Sequence, residues 1–106
     1  MNEALQKKFN EQRETIEAMC ARFGVASLDL FGSATAPDWR PDASDLDFVV
    51  TFDPERTESL ADRFLGLAEA LEAAFGTPVD LITSASIRNP YFRASVDATK
   101  ARVYAQ

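Results

Sequence analysis

Gly32-Ser33 and, a loop later, Ser44-Asp45-Leu46-Asp47-Phe48-Val49-Val50 decide how this chain is read. An apolar strand ends in a small turn, and the next strand begins with two carboxylates two residues apart. Side chains alternate faces along a strand, so Asp45 and Asp47 share one face while Leu46, Phe48 and Val50 share the other. Like charges held side by side on a half-buried surface repel, which an ordinary strand avoids. A divalent cation removes the conflict. Carboxylate oxygens are hard ligands suited to Mg²⁺, which fills the rest of its shell with water and substrate phosphates. The pattern therefore points to a metal–phosphate site.

A third acid extends the pattern. Pro78-Val79-Asp80-Leu81-Ile82 reads as a short strand, apolar apart from Asp80. If it lies beside the strand of the Asp pair, Asp45, Asp47 and Asp80 form a three-carboxylate cluster. Such a cluster suits two metal ions roughly 3.5–4 Å apart, placed to stabilise the attacking and leaving oxygens of a phosphoryl-type displacement.

Periodicity supplies the coarse fold. Leu5, Phe9, Ile16, Met19, Cys20 and Phe23 recur at near-helical spacing, predicting a helix from about Glu3 to Phe23 with Gly24 as its stop. Val25 to Phe31 reads as the first strand, with Ala26, Leu28 and Leu30 on one face and Asp29 turned to solvent on the other. A short helix is expected after Gly32, and Pro37 and the polar run to Ala43 read as loop. Leu46 to Phe52 is the second strand. Asp53-Pro54 opens a helix or a loop before a later start, and Leu60, Phe64, Leu67, Leu71 and Phe75 line one helical face up to Gly76. After the Asp80 strand, Ser84 or Ser86 is expected to open a final helix near Arg88 to Val96, with a terminal strand at Arg102 to Ala105. The sequence shows no repeats or linkers, so residues 1–106 are expected to form one domain.

Composition narrows the function. With 46% hydrophobic residues the chain has ample apolar material for a core, and no apolar run approaches the length of a membrane span. The start does not read as a signal peptide, and the single cysteine, Cys20, beside Met19, reads as a reduced core residue, so a cytoplasmic protein is expected. A formal net charge of −6 argues against an extensive nucleic-acid footprint and favours a protein partner of basic character. The absence of histidine excludes Ser–His catalysis and imidazole metal sites.

Gly-Ser, a loop, Asp-x-Asp on a strand and a later strand Asp resemble the polymerase-β-type nucleotidyltransferase superfamily, and the short length resembles its minimal nucleotidyltransferase (MNT) branch. The likeness runs from Leu28-Asp29-Leu30-Phe31 to Val79-Asp80-Leu81-Ile82, and Asn89-Pro90-Tyr91-Phe92-Arg93 through Arg102-Val103-Tyr104-Ala105 resembles the close of these domains. The resemblance implies an α+β fold, a small mixed β-sheet packed against helices. It implies that Gly32 and Ser33 bind the triphosphate of ATP, that Asp45, Asp47 and Asp80 hold two Mg²⁺ ions, and that Asp80 helps activate the attacking hydroxyl. The implied reaction is attack on the α-phosphorus with loss of pyrophosphate, driven by positioning and electrostatics. MNT proteins are commonly paired with HEPN-type RNase toxins, which carry a motif histidine; a chain without histidine resembles the antitoxin half.

Two departures stand out. Many MNT proteins read Gly-Ser-x-Ala-Arg-Gly, whereas Ala36 stands here at the arginine position, and the segment from Ser33 to Asp45 is one residue longer than the commonest spacing. Loops absorb single insertions cheaply, but the lost cation needs a replacement. Arg40 is the candidate, with Arg88 the weaker one. Trp39 either stacks on a base or packs against the loop. Three functions follow: an AMP-transferring antitoxin acting on a HEPN toxin tyrosine, a non-catalytic antitoxin that binds its toxin, or a nucleotidyltransferase for a small-molecule or RNA acceptor.

Overall fold

Among the described residues, four strands make one sheet with helices on both faces. The computed structural model describes residues 1–40 and 45–106; the expected loop at 41–43 lies outside these. In chain order come α1 (Glu3–Glu11), α2 (Arg13–Arg22), β1 (Val25–Phe31), a 3₁₀ turn (Gly32–Thr35), β2 (Leu46–Phe52), α3 (Leu60–Phe75), β3 (Val79–Thr83), a second 3₁₀ turn (Ser84–Ser86), α4 (Pro90–Thr99) and β4 (Ala101–Ala105). β1 pairs antiparallel with β2 and with β4, while β2 and β3 run parallel. The sheet is mixed, and the α+β expectation holds.

The first helical stretch is two helices rather than one. Asn2 caps α1, its side chain accepting from the Leu5 N–H at 2.9 Å, and the helix breaks at Gln12 (φ −97°, ψ 8°). The apolar stripe that buries Leu5 and Phe9 meets polar Gln12 and Arg13 before resuming at Ile16. No burial favours continuing straight there, and the bend lets Ile16, Met19 and Cys20 reach the core. α3 starts at Ser59, whose hydroxyl accepts from the Asp62 N–H, so Asp53-Pro54 lies in a loop. It stops at Gly76, whose φ of +66° only glycine adopts readily. Leu67, Leu71 and Phe75 are buried as expected, but Leu60 is exposed at the helix start.

One face of the sheet carries the main core: Val25, Leu28, Leu30, Leu46, Phe48, Val50 and Leu81 pack against the apolar sides of α1, α2 and α3. Each such side chain contributes about 1.5–3 kcal/mol on leaving water. A bulge between Val25 and Ser27 resets the alternation, so Val25 faces this core while Ala26 is only half-buried. The other face holds a smaller cluster, Phe31, Val49, Ile87 and Val96 with Ile82 against it, under α4. Asn89 caps α4 by accepting from the Tyr91 and Phe92 N–H groups, with Pro90 in the first turn; Ser84 and Ser86 belong to the preceding 3₁₀ turn. No helix among the described residues is long and apolar enough to cross a membrane.

Candidate active site

The register of three strands builds the site. Phe31, the last residue of β1, stands opposite Asp47 near the start of β2, and Asp47 stands beside Asp80 on the parallel β3. Neighbours in register share a face, so both carboxylates lie on the α4 side while Leu46, Phe48 and Leu81 anchor the strands in the main core. The Leu46 N–H donates to the Pro78 carbonyl at 3.3 Å, closing the pairing at its first rung.

Gly32 turns the chain over this pair. Its φ is +75°, and a Cβ built on it would lie 2.9 Å from Asp47 Oδ2. Backbone conformation favours glycine here, and any larger residue would push the Asp47 carboxylate aside. The Gly32 N–H donates to Thr99 Oγ1 of α4 at 2.9 Å, and Thr35 Oγ1 donates back to the Gly32 carbonyl at 2.8 Å. Thr99 belongs to no motif of the sequence. It lies 67 positions from its partner, and nothing local marks it.

Asp47 has a pKa raised above the ordinary carboxylate value. Partial burial is the largest cause, followed by the charge of Asp80, a hydrogen bond shared with Asp80, and the charge of Asp45. Two carboxylates held this close repel each other and form an all-oxygen donor set that a hard cation relieves, so the residues present fit Mg²⁺. Among the described residues, however, no three His, Cys, Asp or Glu side chains are arranged to hold a metal ion. The backbone register therefore brings together the pair Asp47 and Asp80; exposed Asp45, just ahead of β2, does not complete a three-ligand group with them.

The remaining candidates are placed as follows. Ser33 is exposed in the first 3₁₀ turn, one residue beyond Gly32. Arg40 is exposed at the end of the loop that follows, and no described hydrogen bond or ion pair links it to Asp47, Asp80 or that turn. Trp39 packs against the main core, with its carbonyl accepting from Asn2 Nδ2 at 2.6 Å. Asp29 is a correction to the sequence reading. It is 6% exposed rather than solvent-facing, covered on the α4 side and paired at 2.6 Å with Arg102 Nε of β4. Cys20 is fully buried, and burial pushes its thiol up to about 12.

The sequence pattern of the nucleotidyltransferase domain matches residues 12–104, from α2 to β4. The chain belongs to this family. A candidate protein adenylyltransferase of Methanocaldococcus jannaschii is 40% identical over 76 residues, 72% of this nucleotidyltransferase and 74% of the relative. A solved structure described as a candidate minimal nucleotidyltransferase superposes with a TM-score of 0.72 at 30% identity, covering 95% of each chain. A chain from the tri-AMPylated Shewanella oneidensis HEPN toxin in complex with MNT antitoxin shares the fold, with a TM-score of 0.61 at 18% identity over 92% of this chain and 73% of that one. Family membership makes a nucleotide the substrate class of this nucleotidyltransferase.

Proposed function

We propose that this nucleotidyltransferase moves AMP from ATP onto a tyrosine hydroxyl of a HEPN-type toxin and acts as its antitoxin. The observation that carries the reading is the Asp47–Asp80 pair, set side by side on parallel strands under a positive-φ glycine. Likeness to a protein adenylyltransferase and to an antitoxin chain beside an AMPylated toxin supports the choice of acceptor. The same reading takes residues 1–106 as one domain working in the cytoplasm.

Asp47 and Asp80 would hold the Mg²⁺ ions, with Asp45 adding its negative charge beside Asp47 and becoming a ligand only if it moves in when the ions bind; the ions would supply charge neutralisation at the phosphates. Gly32 lets the backbone approach the triphosphate closely, and Ser33 offers its N–H and hydroxyl as donors. Arg40 supplies the cation that Ala36 does not. Asp80, exposed at the front of the pair, accepts the proton of the incoming hydroxyl or aligns its oxygen with the α-phosphorus.

Transfer of label from ATP to the cognate toxin, with Mg²⁺ present, tests the reading in wild type and Asp47→Asn. Label on the toxin that depends on intact Asp47 is expected. Tight binding and neutralised toxicity without any label would favour a second reading, neutralisation by occlusion. Ala36 at the arginine position is the observation behind that alternative. Label appearing on an RNA end or small molecule instead would replace the protein acceptor.

A further inference from the structure

α4 crosses the sheet from the β3 edge, where the Ser84–Ser86 turn delivers it, to the β4 edge, where it continues into Ala101. Its inner line is fixed by three contacts. The Phe92 ring meets the edge of Phe31 at 6.0 Å, Val96 is buried beside Val49, and Thr99 holds the Gly32 N–H. At 100° per residue, Arg93, Asp97 and Lys100 form one flank. Together with Ser27, Thr51 and Ser84 they line a cleft of about 120 Å³ at the end of the sheet away from the carboxylates. By the same rotation Tyr91, Ser95 and Ala98 form the opposite flank, turned away from that cleft and so towards the end of the sheet where Asp47 and Asp80 pair.

Tyr91 sits in the first turn on that flank, on the β3 side that carries Asp80. It is 86% exposed, the most exposed large hydrophobic residue described. Its backbone N–H is held by Asn89 and its neighbour Phe92 is seated on Phe31, so the ring is carried on an anchored turn although its hydroxyl is open to solvent. A core role does not explain such exposure.

We propose that Tyr91 is a self-adenylylation site of this protein, an inference that rests on the AMP-transfer reading above. The phenolic oxygen of Tyr91 attacks the α-phosphorus of ATP. A phosphodiester bond forms to the tyrosine, the bond from the α-phosphorus to the bridging oxygen breaks, pyrophosphate leaves and the phenolic proton passes to solvent. An AMP group on Tyr91 stands on the rim of the carboxylate end and hinders access of a protein acceptor, so the modification marks enzyme that has lacked its partner.

The test is intact-mass and peptide analysis of the full chain incubated with ATP and Mg²⁺, with and without a HEPN toxin, for wild type, Tyr91→Phe and Asp47→Asn. One added AMP on the peptide holding Tyr91 is expected without toxin, absent in both variants and reduced at least several-fold when toxin is present. Tyr91→Phe keeps the ring, so its labelling of the toxin stays near wild type. Toxin labelled while the enzyme stays unmodified, or self-label on another residue, overturns this proposal and leaves the transfer reading standing. No label on either protein overturns both.

Discussion

Replacing Gly32 with alanine separates what the glycine does for the backbone from what it does for Asp47. Gly76 is the internal control, because it has nearly the same φ, +66° against +75°, but nothing within 4 Å of an added Cβ. Forcing an alanine into the left-handed region costs about 1–2 kcal/mol at either site, or roughly 4–8 °C in Tm per kcal/mol for a domain of this size. At Gly32 the new methyl also meets Asp47 Oδ2 at 2.9 Å, and ordinary contact begins at 3.4 Å, so the carboxylate must retreat by about half an ångström or rotate away. A carboxylate at the end of a side chain moves cheaply, so the extra stability loss stays below about 1 kcal/mol. The effect on transfer is larger, because displacing a positioning group by about 1 Å costs on the order of 100-fold in rate, and half that shift on the order of 10-fold. Urea unfolding and the labelled-ATP assay should therefore show similar destabilisation for the two variants. Transfer should fall about 10-fold or more in Gly32→Ala and stay within about twofold in Gly76→Ala. Wild-type transfer by a folded Gly32→Ala protein would refute the argument, since Asp47 would then be free to sit elsewhere. An equal loss in Gly76→Ala would refute it as well, by showing that strain alone is responsible.

Arg63 is buried on α3, where it donates to the carbonyls of Phe23, Gly24 and Asp53 and lies over the Phe52 ring at 4.8 Å. Arg63→Met should cost about 2–4 kcal/mol in urea unfolding by stranding those acceptors, and Arg63→Lys should recover less than half, because an ammonium lacks the planar fork. Cys20, with its thiol raised to about 12 by burial, should react with a thiol reagent only after unfolding, even at mildly alkaline pH. The unfolded thiol ionises near 9 while the folded one keeps its proton, so Cys20 stabilises the fold below pH 9 and that contribution is lost as pH rises towards 12. Wild type should lose at most about 1.4 kcal/mol per pH unit more than Cys20→Ala in that window; parallel stability curves would contradict the burial.

Strand positions and the face of Asp47 are legible because alternation is a local property of the chain, whereas Asp45 lies just ahead of β2, where alternation no longer places it. Which strand neighbours which is not local, and the value of Asp80 depends entirely on it. The misreading of Asp29 shows the same limit. Alternation correctly sets it opposite Leu28 and Leu30, but that face is covered by α4 and reached by Arg102, 73 positions later. β1 carries Ser27 and Asp29 on the side towards α4, so it reads as alternating, like a strand buried on a single face, although α4 covers that side too. The α1–α2 break was visible as an interruption of the apolar stripe at Gln12 and Arg13, yet propensity alone favours running through it. The start of α4 was misplaced because Ser84 and Ser86 and Asn89-Pro90 are competing start signals. Asn89 prevails with two backbone donors on its side chain and a proline already in helical φ behind it.

The acid pair also explains why a parallel strand pair sits within an otherwise antiparallel sheet. An antiparallel β3 would bring the start of β2 beside the far end of its neighbour, and Asp80 would move away from Asp47. The α3 crossover returns the chain so that both strands run the same way, and Leu46 meets Val79 one rung before the acids meet. A slip of one residue would turn Asp80 into the main core and lift Leu81 out of it. Leu46 and Phe48, almost wholly buried, and Leu81 at 9% exposure oppose that slip. Burying a leucine is worth about 1.5–3 kcal/mol, whereas repulsion across one like-charged pair costs at most about 1 kcal/mol. The core on one face thus holds two carboxylates together on the other, against their own repulsion, where a cation can use them.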